Sequence, residues 1–126
     1  MDVIHHLGAA QAQDFGIAKW SVAQRARGVS NSGMDELFSD GAVLRTHLLR
    51  PTWHFVLRSE IRWMLDLTAP RVHSMNAPYY RRFGLDDELF AKTNVLLART
   101  LRGGRQLTRR EISEVLTRKG ITASGL

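Results

Sequence analysis

The sequence predicts a mainly α-helical fold with one small antiparallel β-hairpin. Apolar residues recur three and four positions apart along most of the chain, which is the period of an amphipathic helix. Two short runs rich in β-branched and aromatic residues, 43–49 and 52–57, are joined around Arg50-Pro51 and predict the hairpin. Helices followed by such a hairpin form a winged-helix (helix-turn-helix) pattern, and additional helices follow it in the chain.

The first two predicted helices flank a pair of amides. Residues 2–8 are predicted to form a helix that ends at Gly8. Asp14 is placed to cap the next helix, residues 15–25, in which apolar side chains three to four apart form one face. The motif Gln11-Ala12-Gln13 is therefore expected at a helix-to-helix junction, where neither folding nor solubility obviously asks for two amides.

Two further helices are predicted on either side of the hairpin. Ser32, followed three residues later by an aspartate, is expected to start a short helix over 34–38. After the hairpin, Ser59 is expected to cap a buried helix that Pro70 ends. Its apolar residues are Ile61, Trp63, Met64, Leu65 and Leu67. We expect all three tryptophans to pack in the core.

The C-terminal third carries the clearest local signals. Asp86 is placed to cap a longer amphipathic helix that Gly103-Gly104 ends. Thr108 and Glu111 have the spacing of a capping box at the start of a last helix, which runs to Gly120. After that glycine we expect only a short end, without a second helix or wing.

These elements predict the organisation of the chain. We expect a winged-helix module over 1–75, with its hairpin wing at 43–57, and a helical extension over 76–126 that ends in an incomplete second winged-helix unit. At 126 residues and 44% hydrophobic composition, the chain has the length of one compact unit overall. It has no cysteine, which excludes disulfides and thiolate sites and fits a cytoplasmic location. No apolar stretch approaches the roughly 20 residues that span a bilayer, so we expect no membrane contact.

The net charge of +6 comes from an arginine-rich excess, with 15 arginines among the 18 basic residues. The guanidinium fork matches phosphate oxygens, so this bias favours a nucleic-acid partner. Residues 1–96 carry 11 basic and 10 acidic side chains, whereas 97–126 carry 7 basic and 2 acidic ones. On charge alone, a solvated basic helix face and a phosphate-binding stripe both stay open.

Four segments together resemble a known family: Gln11-Ala12-Gln13-Asp14, Trp20-Ser21-Val22-Ala23-Gln24-Arg25, the hairpin run 44–56 and Thr68-Ala69-Pro70-Arg71-Val72. They resemble the bacterial DNA glycosylases built from tandem winged helices, which unhook interstrand crosslinks. The resemblance runs from about Val3 to Ile121 and matches the front part of that family's longer proteins. It implies a DNA-binding winged helix, double-stranded DNA as partner, no cofactor and Gln11 and Gln13 as the catalytic pair.

The chemistry of such an enzyme suits amides. An N7-alkylated purine is already a cationic leaving group, so what remains is to place a water and stabilise an oxocarbenium-like sugar. The amide oxygens of Gln11 and Gln13 can do both without a second buried carboxylate. Two alternatives stay open. In the first, both amides simply bond to loop backbone. In the second, Asp14 acts as general base, although its position at a helix start favours a cap.

Six arginines and one histidine are the candidate DNA contacts. For each of them the alternative is a side chain that is only solvated or packed. They are Arg45, Arg50, His54, Arg81, Arg82, Arg109 and Arg110. The spacing of His47 and His54 does not say whether they share a face of the hairpin. A metal site at this pair is rejected, because no carboxylate stands at a useful spacing as third ligand.

Two other functions remain open. One is a non-catalytic winged-helix DNA-binding protein, a truncated or vestigial relative that uses its basic C-terminal segment on duplex DNA. The other is an interaction module, in which the incomplete terminal unit leaves apolar surface that a homodimer would cover.

Overall fold

The protein is described by a computed structural model, which covers residues 1–49 and 52–121. Within these ranges the elements are α1 (Asp2–Leu7), β1 (Ala9–Gln11), α2 (Phe15–Ala23), α3 (Asn31–Ser39), β2 (Val43–Leu48), β3 (Thr52–Leu57), α4 (Ile61–Phe83), α5 (Asp87–Thr100) and α6 (Arg109–Thr117). The mainly helical fold with a small antiparallel sheet is confirmed. The chain divides into two compact units, Met1–Met75 and Asn76–Leu126.

Two predicted features fall outside the described residues. They are the turn at Arg50-Pro51, which includes a candidate DNA contact, and the short end after Ile121. Among the helices of the described ranges, none is both long and apolar enough to cross a bilayer.

The sheet of the first unit is built around β3, which pairs antiparallel with β1 on one edge and with β2 on the other. The predicted hairpin is therefore confirmed. The expectation of a junction between two helices at the amide motif was wrong, because Ala9–Gln11 forms a third strand. On the edge of β3 that β2 does not cover, backbone donors and acceptors need partners, and the three residues of β1 provide them.

The core of the first unit lies between this sheet and the helices α2 and α3. Phe55, in the centre of β3, is completely buried. Its ring contacts those of Phe15 and Phe38 at centroid distances of 5.7 and 4.7 Å. On the opposite face of the sheet, Val56 packs with Leu48 and with Met64 of α4. Because side chains alternate along a strand, β3 contributes to both layers.

A partly buried ion pair joins α2 to α3, with the Asp35 side chain 48% exposed. The Nζ atom of Lys19 lies 2.7 Å from Oδ1 of Asp35, and the Lys19 side chain is only 10% exposed. The same ammonium lies 4.9 Å from the centre of the Phe15 ring. Helix α3 begins earlier than predicted, because Ser30 rather than Ser32 is its cap and accepts a hydrogen bond from the Gly33 amide at 3.0 Å.

Helix α4 contradicts the prediction that Pro70 ends it, since the helix continues through both Pro70 and Pro78 to Phe83. Each proline removes the amide that would bond to the carbonyl four residues earlier, those of Asp66 and Ser74. These four residues are all exposed. The missing hydrogen bonds therefore fall on the solvent side of the helix, where water can replace them.

The expected burial of the tryptophans was also largely wrong. Trp20 of α2 is 62% exposed and Trp63 of α4 is 53% exposed, whereas Trp53 of β3 is half-buried. Leu67 of α4 is 71% exposed, and Met64 is the buried residue of that helix. An apolar residue in a helical pattern becomes core only where another layer covers it, which the pattern does not specify.

In the second unit the predicted helix starts are confirmed. Asp86 caps α5 by accepting a hydrogen bond from the Leu89 amide at 2.8 Å. Thr108 and Glu111 form the capping box of α6, with both reciprocal bonds present. The hydrogen bonds from the Thr108 hydroxyl and amide lower the pKa of the Glu111 carboxyl.

We expect Asp35→Asn to lower the free energy of unfolding of the first unit by about 1 kcal/mol, because it removes the counter-ion of the Lys19 ammonium at a site where Asp35 is half-exposed. Asp40→Asn is the matched control, since Asp40 is exposed at the C-terminal end of α3. Urea unfolding followed by circular dichroism measures both. Equal midpoints for the two variants would contradict a stabilising role for the ion pair.

We expect Thr108→Ala to destabilise α6 by about 1 kcal/mol at neutral pH, because the helix loses its cap. The capping contribution of Glu111 is present above the pKa of an unfolded glutamate, since its folded pKa is lowered. It disappears as the pH falls through that folded value. The difference in helicity between the two proteins, measured from pH 7 to pH 2, should therefore narrow towards low pH, where only the bond from the Glu111 amide to the Thr108 hydroxyl still separates them. A constant difference would contradict the ionised capping box.

Candidate functional site

Both amides of the Gln11-Ala12-Gln13 motif line one groove in the first unit. This groove has a volume of about 550 Å³. Its walls are formed by the end of α1, by β1 and by one face of α2. The lining residues with polar side chains are Gln11, Gln13, Asp14, Ser21 and Arg25. The sequence could not specify that these residues share a concave surface.

Gln11 is positioned by the sheet. It is the last residue of β1 and lies opposite His54 of β3, which in turn lies opposite Thr46 of β2. These three side chains therefore share one face of the sheet. Gln11 is exposed, and in the part of the chain that the structure describes its side-chain amide has no hydrogen-bond partner.

Gln13 occupies the single position between the strand pairing and the cap of α2. The Ala12 amide still donates to the Trp53 carbonyl, at 2.7 Å, so the β1–β3 pairing extends one residue past β1. The Trp53 amide faces the same edge and donates a long hydrogen bond, 3.5 Å, to Oε1 of Gln13. One of the two amides thus bonds to backbone, which was the alternative to a catalytic role, while its residue still lines the groove.

Asp14 caps α2, as predicted from the sequence. Its Oδ1 atom accepts a hydrogen bond from the Ile17 amide at 2.8 Å. A carboxylate that compensates a helix N-terminus is held in place by the helix itself. Asp14 therefore contributes a fixed negative charge at the edge of the groove.

Arg45 of β2 reaches the backbone of Ala12 and Gln13, the two residues that form the turn between β1 and the cap of α2. Its Nε atom donates to the Ala12 carbonyl and its Nη2 atom to the Gln13 carbonyl, each at 3.0 Å. The guanidinium carbon lies 4.5 Å from the Trp53 ring centre and 5.9 Å from that of Phe15. The side chain is half-buried, and at least two of its donors are occupied by protein carbonyls.

The two histidines of the hairpin lie on opposite faces of the sheet. His47 is opposite Trp53, whose ring centre is 4.2 Å from its own, while His54 is opposite Thr46. His54 is 7% exposed, and its Nδ1 atom donates to the Thr52 carbonyl at 2.9 Å. Within residues 1–49 and 52–121, no three histidine or carboxylate residues are grouped as metal ligands would be.

The four other arginine candidates of the described chain are exposed residues of the second unit. Arg81 and Arg82 lie in the last turn of α4. Arg109 and Arg110 are the first two residues of α6, and Nε of Arg110 lies 3.8 Å from Glu114. Cations stabilise the C-terminal end of a helix and are unfavourable at its N-terminus. The helix dipole therefore accounts for the first pair and not for the second.

Sequence reasoning missed two polar groove residues, Ser21 of α2 and Arg25 just after it. Arg25 donates to the carbonyl of Ser21 at 2.7 Å and to its hydroxyl at 3.1 Å, and both residues line the groove. Asp14, Ile17, Ser21 and Arg25 are spaced three to four apart, so they follow one side of the helical segment. That stripe, starting beside the amide motif, was the available signal.

A larger cavity, about 820 Å³, lies in the second unit, and nothing in the sequence predicted it. Its floor is apolar, with Val95 and Leu96 of α5 and Ile121. Four cations line it as well: Lys92, Arg99, Arg105 and Lys119. A hydrogen bond to Glu88 raises the pKa of Lys92, so that ammonium is already paired.

The chain is similar to known DNA glycosylases. The model of the AlkZ-like DNA glycosylases matches residues 4–125. Among solved structures, the Streptomyces sahachiroi DNA glycosylase AlkZ is similar, with a TM-score of 0.80 and 26% sequence identity. The similarity covers 93% of this chain and 31% of that one, so this chain spans about a third of the length of that structure. No curated protein sequence matches significantly.

The three-stranded sheet, the paired glutamines and the arrangement of helices all lie within the matched region. Because the family model covers nearly the whole chain, this protein belongs to the AlkZ-like DNA glycosylase family.

Proposed function

We propose that this chain binds double-stranded DNA and hydrolyses the N-glycosidic bond of an N7-alkylated or crosslinked purine in the groove that holds Gln11 and Gln13. The observation that carries this proposal is the placement of both amides in one open groove of a DNA glycosylase-family chain. Neither amide is consumed by the fold. Gln11 is exposed, and within the described residues the side-chain amide of Gln13 makes only the long bond to the Trp53 amide.

The proposed chemistry follows from the charge of the leaving group. An N7-alkylated purine carries a positive charge, so its departure needs no strong acid. The sugar that remains becomes oxocarbenium-like, and amide oxygens stabilise it and orient the attacking water. Gln11 and Gln13 supply these oxygens, while the carboxylate of Asp14, held by the Ile17 amide, adds a fixed negative charge nearby.

The order of elements supports a winged-helix module in the first unit. Helix α1, strand β1, the helix pair α2 and α3 and the hairpin β2–β3 follow one another along the chain. In such modules the second helix of the pair enters the major groove. Here α3 carries Asp35 and Glu36, which would oppose phosphates, so we assign the main DNA affinity to cations elsewhere.

The second unit supplies those cations. Residues 76–126 carry 10 basic and 5 acidic side chains, whereas residues 1–75 carry 8 and 7. Arg109 and Arg110 are the strongest candidates, because two exposed guanidiniums are adjacent in the first turn of α6.

A non-catalytic DNA-binding protein is the second candidate. The observation that favours it is the nearly neutral charge of the first unit beside the basic second unit. The homodimer and the cytoplasmic location stay predictions.

We expect the wild-type chain to release base from a duplex with one N7-methylguanine, and Gln13→Ala to slow this release roughly 100-fold, as the removal of one group that stabilises a transition state does. Abasic sites, cleaved by alkali and resolved by electrophoresis, measure the rate. Gln106→Ala is the matched control, because Gln106 is exposed in the second unit and outside the groove.

A folded wild type that binds the duplex without releasing base would support the non-catalytic candidate instead. Release by Gln13→Ala at the wild-type rate would overturn the role of that amide and leave the activity to be explained by other residues.

We expect the double variant Arg109→Gln, Arg110→Gln to bind duplex DNA more weakly and with a smaller salt dependence. The slope of log affinity against log salt should fall by about 0.9 for each phosphate that the variant no longer neutralises. Fluorescence anisotropy with a labelled duplex at a series of salt concentrations measures this slope. The control Arg27→Gln removes an exposed arginine of the first unit, and an equal effect there would argue against phosphate binding at α6.

A further inference from the structure

Two backbone carbonyls at the paired glutamines accept hydrogen bonds from a side chain that is distant in the chain. Ala12 and Gln13 lie after the last residue of β1 and before α2, so their carbonyls belong to neither ladder nor helix. The Ala12 amide is satisfied by Trp53, and the first intrahelical acceptor of α2 is the Asp14 carbonyl, bonded by Ala18. Buried or half-buried backbone groups are nearly always paired. Ala12 is completely buried, so its carbonyl needs a partner from elsewhere in the chain, whereas Gln13 is exposed.

Arg45 supplies both bonds with a single planar group. It comes from β2, 33 and 32 positions along the chain from the two carbonyls that it contacts. A guanidinium presents parallel donors at a fixed separation, which a lysine ammonium does not. The Trp53 ring, 4.5 Å from the guanidinium carbon, and the Phe15 ring limit its movement.

We infer that Arg45 is a positioning residue, which holds the Ala12 and Gln13 carbonyls so that the Gln13 side chain stays at the groove. This role rests on the proposed function of the groove. Arg45 holds the carbonyl that precedes the Gln13 nitrogen and the carbonyl of Gln13 itself. The Trp53 amide contacts the Gln13 side chain. The rate of the chemical step depends strongly on the position of such a side chain, because a displacement of about 1 Å can cost roughly 100-fold in rate.

This role differs measurably from the phosphate contact that the sequence predicts for Arg45. A phosphate contact adds to DNA affinity and to its salt dependence. A positioning residue changes the rate of the chemical step and leaves both unchanged. The occupied Nε and Nη2 donors and the half-buried side chain favour the positioning role.

The test compares Arg45→Met and Arg45→Lys with the control Arg58→Met, all in the full chain. Methionine keeps much of the apolar stem and removes the fork, whereas lysine keeps the charge and at most one of the two carbonyl bonds. Arg58 is exposed just after β3, so its replacement removes the same charge without touching the turn. Circular dichroism verifies that each variant is folded.

The first readout is the single-turnover rate of base release from the N7-methylguanine duplex, with the Kd and its salt slope measured in parallel. We expect Arg45→Met to lower the rate on the order of 10- to 100-fold while Kd and slope match those of Arg58→Met. Arg45→Lys should recover part of the rate. A slope that falls by about 0.9 with an unchanged rate would overturn the inference and establish a phosphate contact.

The second readout needs no DNA. Hydrogen exchange of the Ala12 amide, followed by nuclear magnetic resonance, reports whether the extension of β1 along β3 persists. We expect Arg45→Met to accelerate this exchange about tenfold or more while the Phe55 amide in the centre of the sheet keeps its protection. Unchanged protection of Ala12 would overturn the inference. If the wild type releases no base, the glycosylase proposal fails, and this readout still decides whether Arg45 holds the turn.

Discussion

The first unit depends on one strand, β3, whose two edges are both occupied. Phe55 anchors it between α2 and α3, and its neighbours Val56 and His54 face the other side of the sheet. Because β2 covers only one edge of β3, Ala9–Gln11 pairs with the other edge as β1. Without that pairing, Gln11 and Gln13 would belong to an unconstrained loop. The site is thus a consequence of the completed sheet.

Arginine has two separate uses in this protein. Arg45 and Arg25 donate their guanidinium hydrogens to protein oxygens, one on the backbone of the turn and the other within the α2 segment. Arg109 and Arg110 instead lie exposed at a helix N-terminus, where the helix dipole disfavours them. A basic composition therefore overstates the number of cations that are available to a phosphate backbone, and only the hydrogen-bond partners separate the two groups.

Local chemistry determined where most helices begin. The caps at Asp14, Asp86 and Thr108 were predictable because each acts on amides within its own first turn, so no distant residue is needed. The same reasoning failed at Pro70, where the helix loses one hydrogen bond and continues. A proline ends a helix only when the loss cannot be compensated, and exposure to solvent on that side compensates it.

The sequence by itself determined the mainly helical class, the hairpin, the caps at Asp14, Asp86 and Thr108 and the glutamine motif with its family resemblance, since all of these depend on residues close together in the chain. The tertiary structure alone decided that Ala9–Gln11 is a strand, that Trp20 and Trp63 are exposed, and that Arg45 bonds to Ala12 and Gln13. These features depend on pairing and coverage between segments that are far apart in the chain, 32 and 33 positions in the case of Arg45. Spacing along the chain carries no information about which edge or face a distant segment will occupy.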